Sequence, residues 1–165
     1  MRFTAVAGEP HKTLNVSFCG LPMAIKKQEF YEGAAIYLLA RTGLVKSIRY
    51  ESPFFRINET ICALLKHSTR KRSPWAFTVT PAEQSDLQNC TAPEKVFGLI
   101  CGSDGVVSLP YESYLTIALP RDAAIHISCY RNHNEHYEIN GPEGTLTRKI
   151  APSAWPRILN SEQLT

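Results

Sequence analysis

The sequence predicts one α+β domain, a mixed and mainly antiparallel sheet with one long N-terminal helix and two shorter helices. Three observations lead there. Residues 22–42 carry the helical spacing of apolar side chains. A succession of short runs rich in β-branched and aromatic residues then follows, separated by Gly-, Pro- and Asn-containing turns. No repeat, low-complexity tract or linker breaks the chain, and 165 residues suffice for one ordinary core.

In the first helix Phe30, Ala34, Tyr37, Leu38 and Arg41 recur at three- and four-residue steps, with Gly43 as terminator. They mark its expected buried face. Before it, residues 1–13 read as a loose arm and residues 15–18 as a short strand. Runs at 44–50, 54–57 and 61–66 form an antiparallel meander, broken by Glu51-Ser52-Pro53 and Asn58-Glu59. Trp75, Phe77 and Val79 alternate with Ala76, Thr78 and Thr80, the period of a half-buried strand. Thr80-Pro81-Ala82-Glu83 is a helix start, with Thr as cap, Pro at the first position and Glu reaching back. That helix runs to about Asn89.

Residues 96–101 are continuously apolar and predict a central strand buried on both faces. Gly102-Ser103-Asp104-Gly105 turns it into a strand at 106–109, and Pro110 opens a helix to about Leu119. Strands at 124–131 and 136–139 flank a polar turn. Gly141-Pro142-Glu143-Gly144 leads into 145–150, and residues 152–159 form a helical turn around Trp155.

The apolar fraction of 44% and charged fraction of 20% set aside disordered, collagen-like and coiled-coil classes. No apolar run reaches the roughly 18–20 residues of a membrane helix, and the opening residues lack a secretory h-region, so no membrane association and a cytoplasmic location are expected. The five cysteines, Cys19, Cys62, Cys90, Cys101 and Cys129, are odd in number and show no CxxC spacing. Three of them lie in apolar stretches and read as small buried hydrophobes.

The net charge of +3 hides an asymmetry: residues 1–80 hold twelve Lys/Arg against five Asp/Glu, residues 81–165 six against ten. A basic half suits a polyanion, and the same split also fits pairing between the halves. The densest basic run is Lys66-His67-Ser68-Thr69-Arg70-Lys71-Arg72, followed by Ser73-Pro74-Trp75. Cations there would neutralise phosphates and an aromatic would stack on a base, which makes Lys66, Arg70, Lys71, Arg72 and Trp75 the candidate nucleic-acid residues. The competing reading is a solvated hairpin tip, with Trp75 facing the core.

His126, Cys129, His133 and His136 give a second candidate, four zinc-capable side chains in the spacing H-x2-C-x3-H-x2-H. On a strand His126 and Cys129 point to opposite faces, so a shared ion needs a bulge between them. The plainer reading is a surface hairpin with polar tips, and no metal is expected.

The order helix, three strands, strand, helix, strand over residues 22–101 resembles the core of the PD-(D/E)XK, restriction-endonuclease-like family. The resemblance implies Mg²⁺ held by an acid on the second core strand, an acid-x-Lys on the third and a Glu on the first helix. Lys66 matches the lysine, Glu32 or Glu29 the helix glutamate, and Glu51 is the nearest acid to the second position; Leu64 stands where the family's acid precedes the lysine. The string Lys66-x-Ser68-x4-Ser73-Pro74-Trp75-x-Phe77-Thr78 also resembles a segment of small uncharacterised bacterial proteins. It implies a bacterial or mobile-element origin and no chemistry.

Walker A, GxGxxG, G-x-S-x-G and H-E-x-x-H motifs are all missing. The leading expectation is a non-catalytic module that binds nucleic-acid phosphates through its basic half and needs no cofactor. The alternatives are a protein-interaction or regulatory subunit, self-association included, and a Mg²⁺-dependent nuclease using Glu32, Glu51 and Lys66.

Overall fold

A computed structural model describes residues 24–163 of the chain; the expected arm at 1–13 and strand at 15–18 lie outside the described residues. The fold is α+β. Its elements are α1 (Lys27–Ala40), β1 (Ile48–Glu51), β2 (Phe54–Ile57), β3 (Ile61–Ser68), β4 (Trp75–Val79), α2 (Pro81–Asn89), β5 (Glu94–Cys101) and β6 (Val106–Pro110). Then follow α3 (Tyr111–Leu115), β7 (Ile125–Tyr130), β8 (Glu138–Gly141), β9 (Gly144–Thr145), α4 (Ala154–Arg157) and a 3-10 turn.

The strands divide between two sheets, a separation that run-by-run reading did not foresee. One has the order β1-β2-β3-β5-β6, the other β4-β7-β8-β9. β1, β2 and β3 form the expected antiparallel meander. β3 and β5 then pair in parallel along their whole length, from Ile61↔Glu94 to Ser68↔Cys101. The crossover between them contains β4 and α2, so β4 leaves the first sheet and becomes an edge strand of the second. β5 is interior and buried from Val96 to Cys101, as its unbroken apolar run requires.

One core cluster lies between the sheets and takes Leu64, Phe97 and Val107 from the first and Trp75, Phe77 and Ile127 from the second. A second cluster fills the other face of β3 and β5 under α1 and α4, built on Ala35, Leu39, Ala63, Ile100 and Trp155. Trp155 is fully buried and donates its indole N–H to Ala35 O at 2.9 Å. It fits because position 98 lacks a side chain: a Cβ on Gly98 would lie 2.5 Å from Leu65 Cδ2 and 2.8 Å from the Trp155 ring.

Several boundaries and one face correct the sequence reading. α1 buries Ala35 and Leu39, while Phe30 and Tyr37 are 66% and 63% exposed. Apolar residues surround this helix, so packing beneath Trp155, not spacing, selects its inner face. β1 begins at Ile48, not residue 44, because the Asn58 side chain claims the preceding backbone. Its Oδ1 accepts from Lys46 N at 2.7 Å and its Nδ2 donates to Leu44 O at 3.0 Å. α3 stops at Leu115, and the expected strand at 145–150 shrinks to two residues plus an isolated Tyr137↔Ile150 bridge.

Thr80 caps α2 reciprocally. Its Oγ1 accepts from Glu83 N at 3.2 Å while Glu83 Oε2 accepts from Thr80 N at 2.8 Å. Thr80→Ala is expected to cost about 1 kcal/mol, read as a lower denaturant midpoint with unchanged slope. Gly98→Ala is expected to cost about 1–3 kcal/mol by overpacking Leu65 and Trp155. An unchanged thermal midpoint would show that Trp155 does not sit over Gly98.

Candidate anion-binding cleft

Parallel pairing brings two loops to one end of the first sheet. The chain leaves β3 after Ser68 and β5 after Cys101, which are partners in the last rung. In the second sheet Trp75 pairs with Cys129, so the end of β7 and the loop after it arrive at the same place. The β3–β4 loop, the β5–β6 turn and the β7–β8 loop together enclose an open cleft of about 760 Å³. Lys71, Arg72, Arg131 and His133 line it beside Asp104 and Tyr130, with Ser73, Ser103, Asn132 and Asn134 between them and Trp75 as part of the wall.

The basic loop is held by its own bonds. Trp75 is 3% exposed and donates its indole N–H to Arg70 O at 3.1 Å, so it anchors the loop and presents no free ring face. This corrects the expectation of Trp75 as a stacking surface; alternation in β4 turns it inward. Arg70 donates from Nη1 to Pro74 O at 3.1 Å and does not line the cleft. Ser73 Oγ accepts from Arg131 N at 3.0 Å, tying the loop to the end of β7. Gly102, in the left-handed region at φ 56°, lets the β5–β6 turn pass under Arg70 O, which a Cβ would approach to 3.0 Å.

Electrostatics sort these cations into fixed and free. Arg131 Nη1 donates to Asp104 Oδ2 at 2.9 Å, Arg131 Nε donates to Glu135 O at 2.7 Å, and the guanidinium lies 4.9 Å over the Tyr137 ring. The bond to Asp104 raises the Arg131 pKa further. Tyr137, fully buried, donates its hydroxyl to Asp104 Oδ2 at 2.5 Å; burial and then this bond push its pKa up. Asp104 is therefore engaged twice. Lys71 and Arg72 are exposed, and no carboxylate partner for either occurs among the described residues. The lining thus holds three permanent cations against one carboxylate already in use.

Lys66 is elsewhere. Its Nζ donates to both carboxylate oxygens of Glu83, at 2.7 and 3.0 Å, and the two side chains are only 20% and 17% exposed. The pair lines a separate cleft of about 340 Å³ with Glu32 and His67. Of the three residues the nuclease resemblance selects, Glu32 and Lys66 thus share a cleft. Glu51 does not line it; it accepts from Arg56 Nε at 3.0 Å. Leu64 is core.

The four zinc-capable residues are not brought together. His126 is exposed, with Nδ1 3.0 Å from Thr78 Oγ1, whereas Cys129 is fully buried on the opposite face against Cys101, whose pKa its hydrogen bond raises. His133 joins the cleft and His136 faces solvent outside it. Among the described residues no three His, Cys, Asp or Glu side chains converge on one point.

Sequence reasoning missed Asp104, Tyr130 and Arg131. The Gly102–Gly105 turn and the polar turn after residue 130 were legible as turns, but nothing local announces that they meet. The chain matches no protein-family model, no curated protein and no solved structure.

His67 stacks on Tyr31, ring centroids 5.0 Å apart. Burial lowers its pKa from the ordinary 6.5, with Glu32 opposing and Lys66 and Lys27 assisting. Below pH 6.5 the unfolded chain therefore binds this proton more readily than the folded one, so stability falls as pH drops below that value. His67→Gln is expected to flatten the fall in stability that sets in below pH 6.5. A variant with the wild-type acid profile would remove His67 from the explanation.

Proposed function

We propose that the cleft binds phosphate groups of a nucleic acid, and that the chain acts as a binding module. The observation that carries this is the pair Lys71 and Arg72, exposed and without carboxylate partners, facing a wall whose one acid is engaged by Arg131 and Tyr137. Phosphate neutralisation needs such uncommitted cations. Elsewhere in the basic half, Arg49 pairs with Glu59, Arg56 with Glu51 and Lys66 with Glu83, so those charges are already answered.

Metal-dependent cleavage is not part of this reading. Glu83 has both oxygens on Lys66 and a third bond from Thr80 N, and Glu51 is bound to Arg56, which leaves Glu32 as the remaining acid of the small cleft. A second reading, association with a protein or with another copy, draws support from Phe30 and Tyr37 standing exposed on α1.

Salt titration of oligonucleotide binding separates the two. The double variant Lys71→Ser/Arg72→Ser is expected to fold as wild type, since exposed charges contribute only tenths of a kcal/mol. It should bind labelled oligonucleotides more weakly and lower the slope of log affinity against log salt by about 1.5–2 units. Wild-type affinity and slope in the variant would favour the protein-association reading.

A further inference from the structure

We infer that the cleft receives unpaired nucleotides, so that the preferred ligand is single-stranded nucleic acid with one base stacked on Tyr130. The inference rests on the phosphate-binding reading above. Tyr130 is the last residue of β7 and is 39% exposed on the cleft wall, next in sequence to the fixed Arg131. Its hydroxyl donates to Asn132 Oδ1 at 2.5 Å. That bond satisfies the polar end and restrains the ring, leaving an aromatic surface beside the cations. The Trp75 indole, which also borders the cleft, is spent on the core.

An aromatic platform beside unpaired cations suits a strand whose bases are unstacked, because each base has a π-face and the backbone follows the positive charge. In a duplex the base faces are covered and the edges are reached only by an element that projects into a groove. Here the polar groups line a concavity bounded by three loops, and its volume of about 760 Å³ is that of a small-ligand site. Asn134 and Ser103 face the same space and offer amide and hydroxyl groups to a base edge.

The test measures fluorescence anisotropy with a labelled twelve-residue oligothymidylate and a twelve-base-pair duplex at one salt concentration. Wild type, Tyr130→Ala, Tyr130→Phe and Lys71→Ser/Arg72→Ser are compared after their unfolding midpoints are checked. Wild type is expected to bind the single strand at least tenfold more tightly than the duplex. Tyr130→Ala should lose about tenfold or more for the single strand, leave duplex binding and the salt slope unchanged, and be rescued by Tyr130→Phe. Equal binding of both ligands, or an unaffected Tyr130→Ala, overturns the inference; if Lys71→Ser/Arg72→Ser still weakens both ligands, the phosphate reading survives it. Failure of the wild type to bind either ligand overturns both.

Discussion

Because β3 and β5 run parallel and in register from Ile61↔Glu94 to Ser68↔Cys101, both strands end at one level and release their following loops side by side. An antiparallel pair would have sent the basic loop and the Gly102–Gly105 turn to opposite ends of the sheet. Parallel pairing also obliges the chain to return the full length of the sheet before β5 begins. It does so through β4 and α2, and β4 uses the crossover to found a second sheet. Trp75↔Cys129 pairing then brings the end of β7 back to the same level. The cleft is thus a consequence of strand direction: three chain segments separated by dozens of residues have nowhere else to meet.

That arrangement needs β3 and β5 to be apolar on both faces, and each face is closed differently. On the face toward the second sheet, Phe97 of β5 meets Tyr114 of α3, ring centroids 4.6 Å apart. On the outer face the covering layer is thin, one helix and one short turn, so the approach must be close. Gly98 and Ala35 supply it: the first leaves room for the Trp155 ring and the second presents a backbone oxygen to its N–H. Two small residues therefore determine where the largest buried side chain goes.

How much of this was legible follows the range of the signal. The Thr80 cap, the alternation of β4 and the apolar run of β5 are local patterns, and each reappears in the structure. The inner face of α1 is not local. Phe30 and Tyr37 have the right spacing for a core stripe, yet Ala35 and Leu39 are buried, because what matters is the fit beneath Trp155, 120 positions further along. The same holds for the site. Lys71 and Arg72 stood out as charge, and His133 as a zinc-capable side chain, but only long-range pairing makes them neighbours. Trp75 was ambiguous in sequence between stacking surface and core anchor. Its alternation with Phe77 and Val79 was the stronger physical signal, and burial follows it.

Net charge was the coarsest guide to function, since it counts cations without asking which are answered. Arg49 and Arg56 of the basic half pair with acids of the same half, and Lys66 pairs with Glu83 of the acidic half, so these charges are answered both within the half and across it. What distinguishes the cleft is a division between cations. Arg131 is fixed from three sides, by Asp104, by the Glu135 carbonyl and by the face of Tyr137. Ser73 Oγ, on its backbone N–H, registers the basic loop against it. A fixed guanidinium keeps its direction at no further entropic cost, whereas the exposed Lys71 and Arg72 side chains retain their rotamer freedom. Asp104 lowers the net positive charge by one, but it supplies the order that turns a charged loop into a cleft with a defined floor.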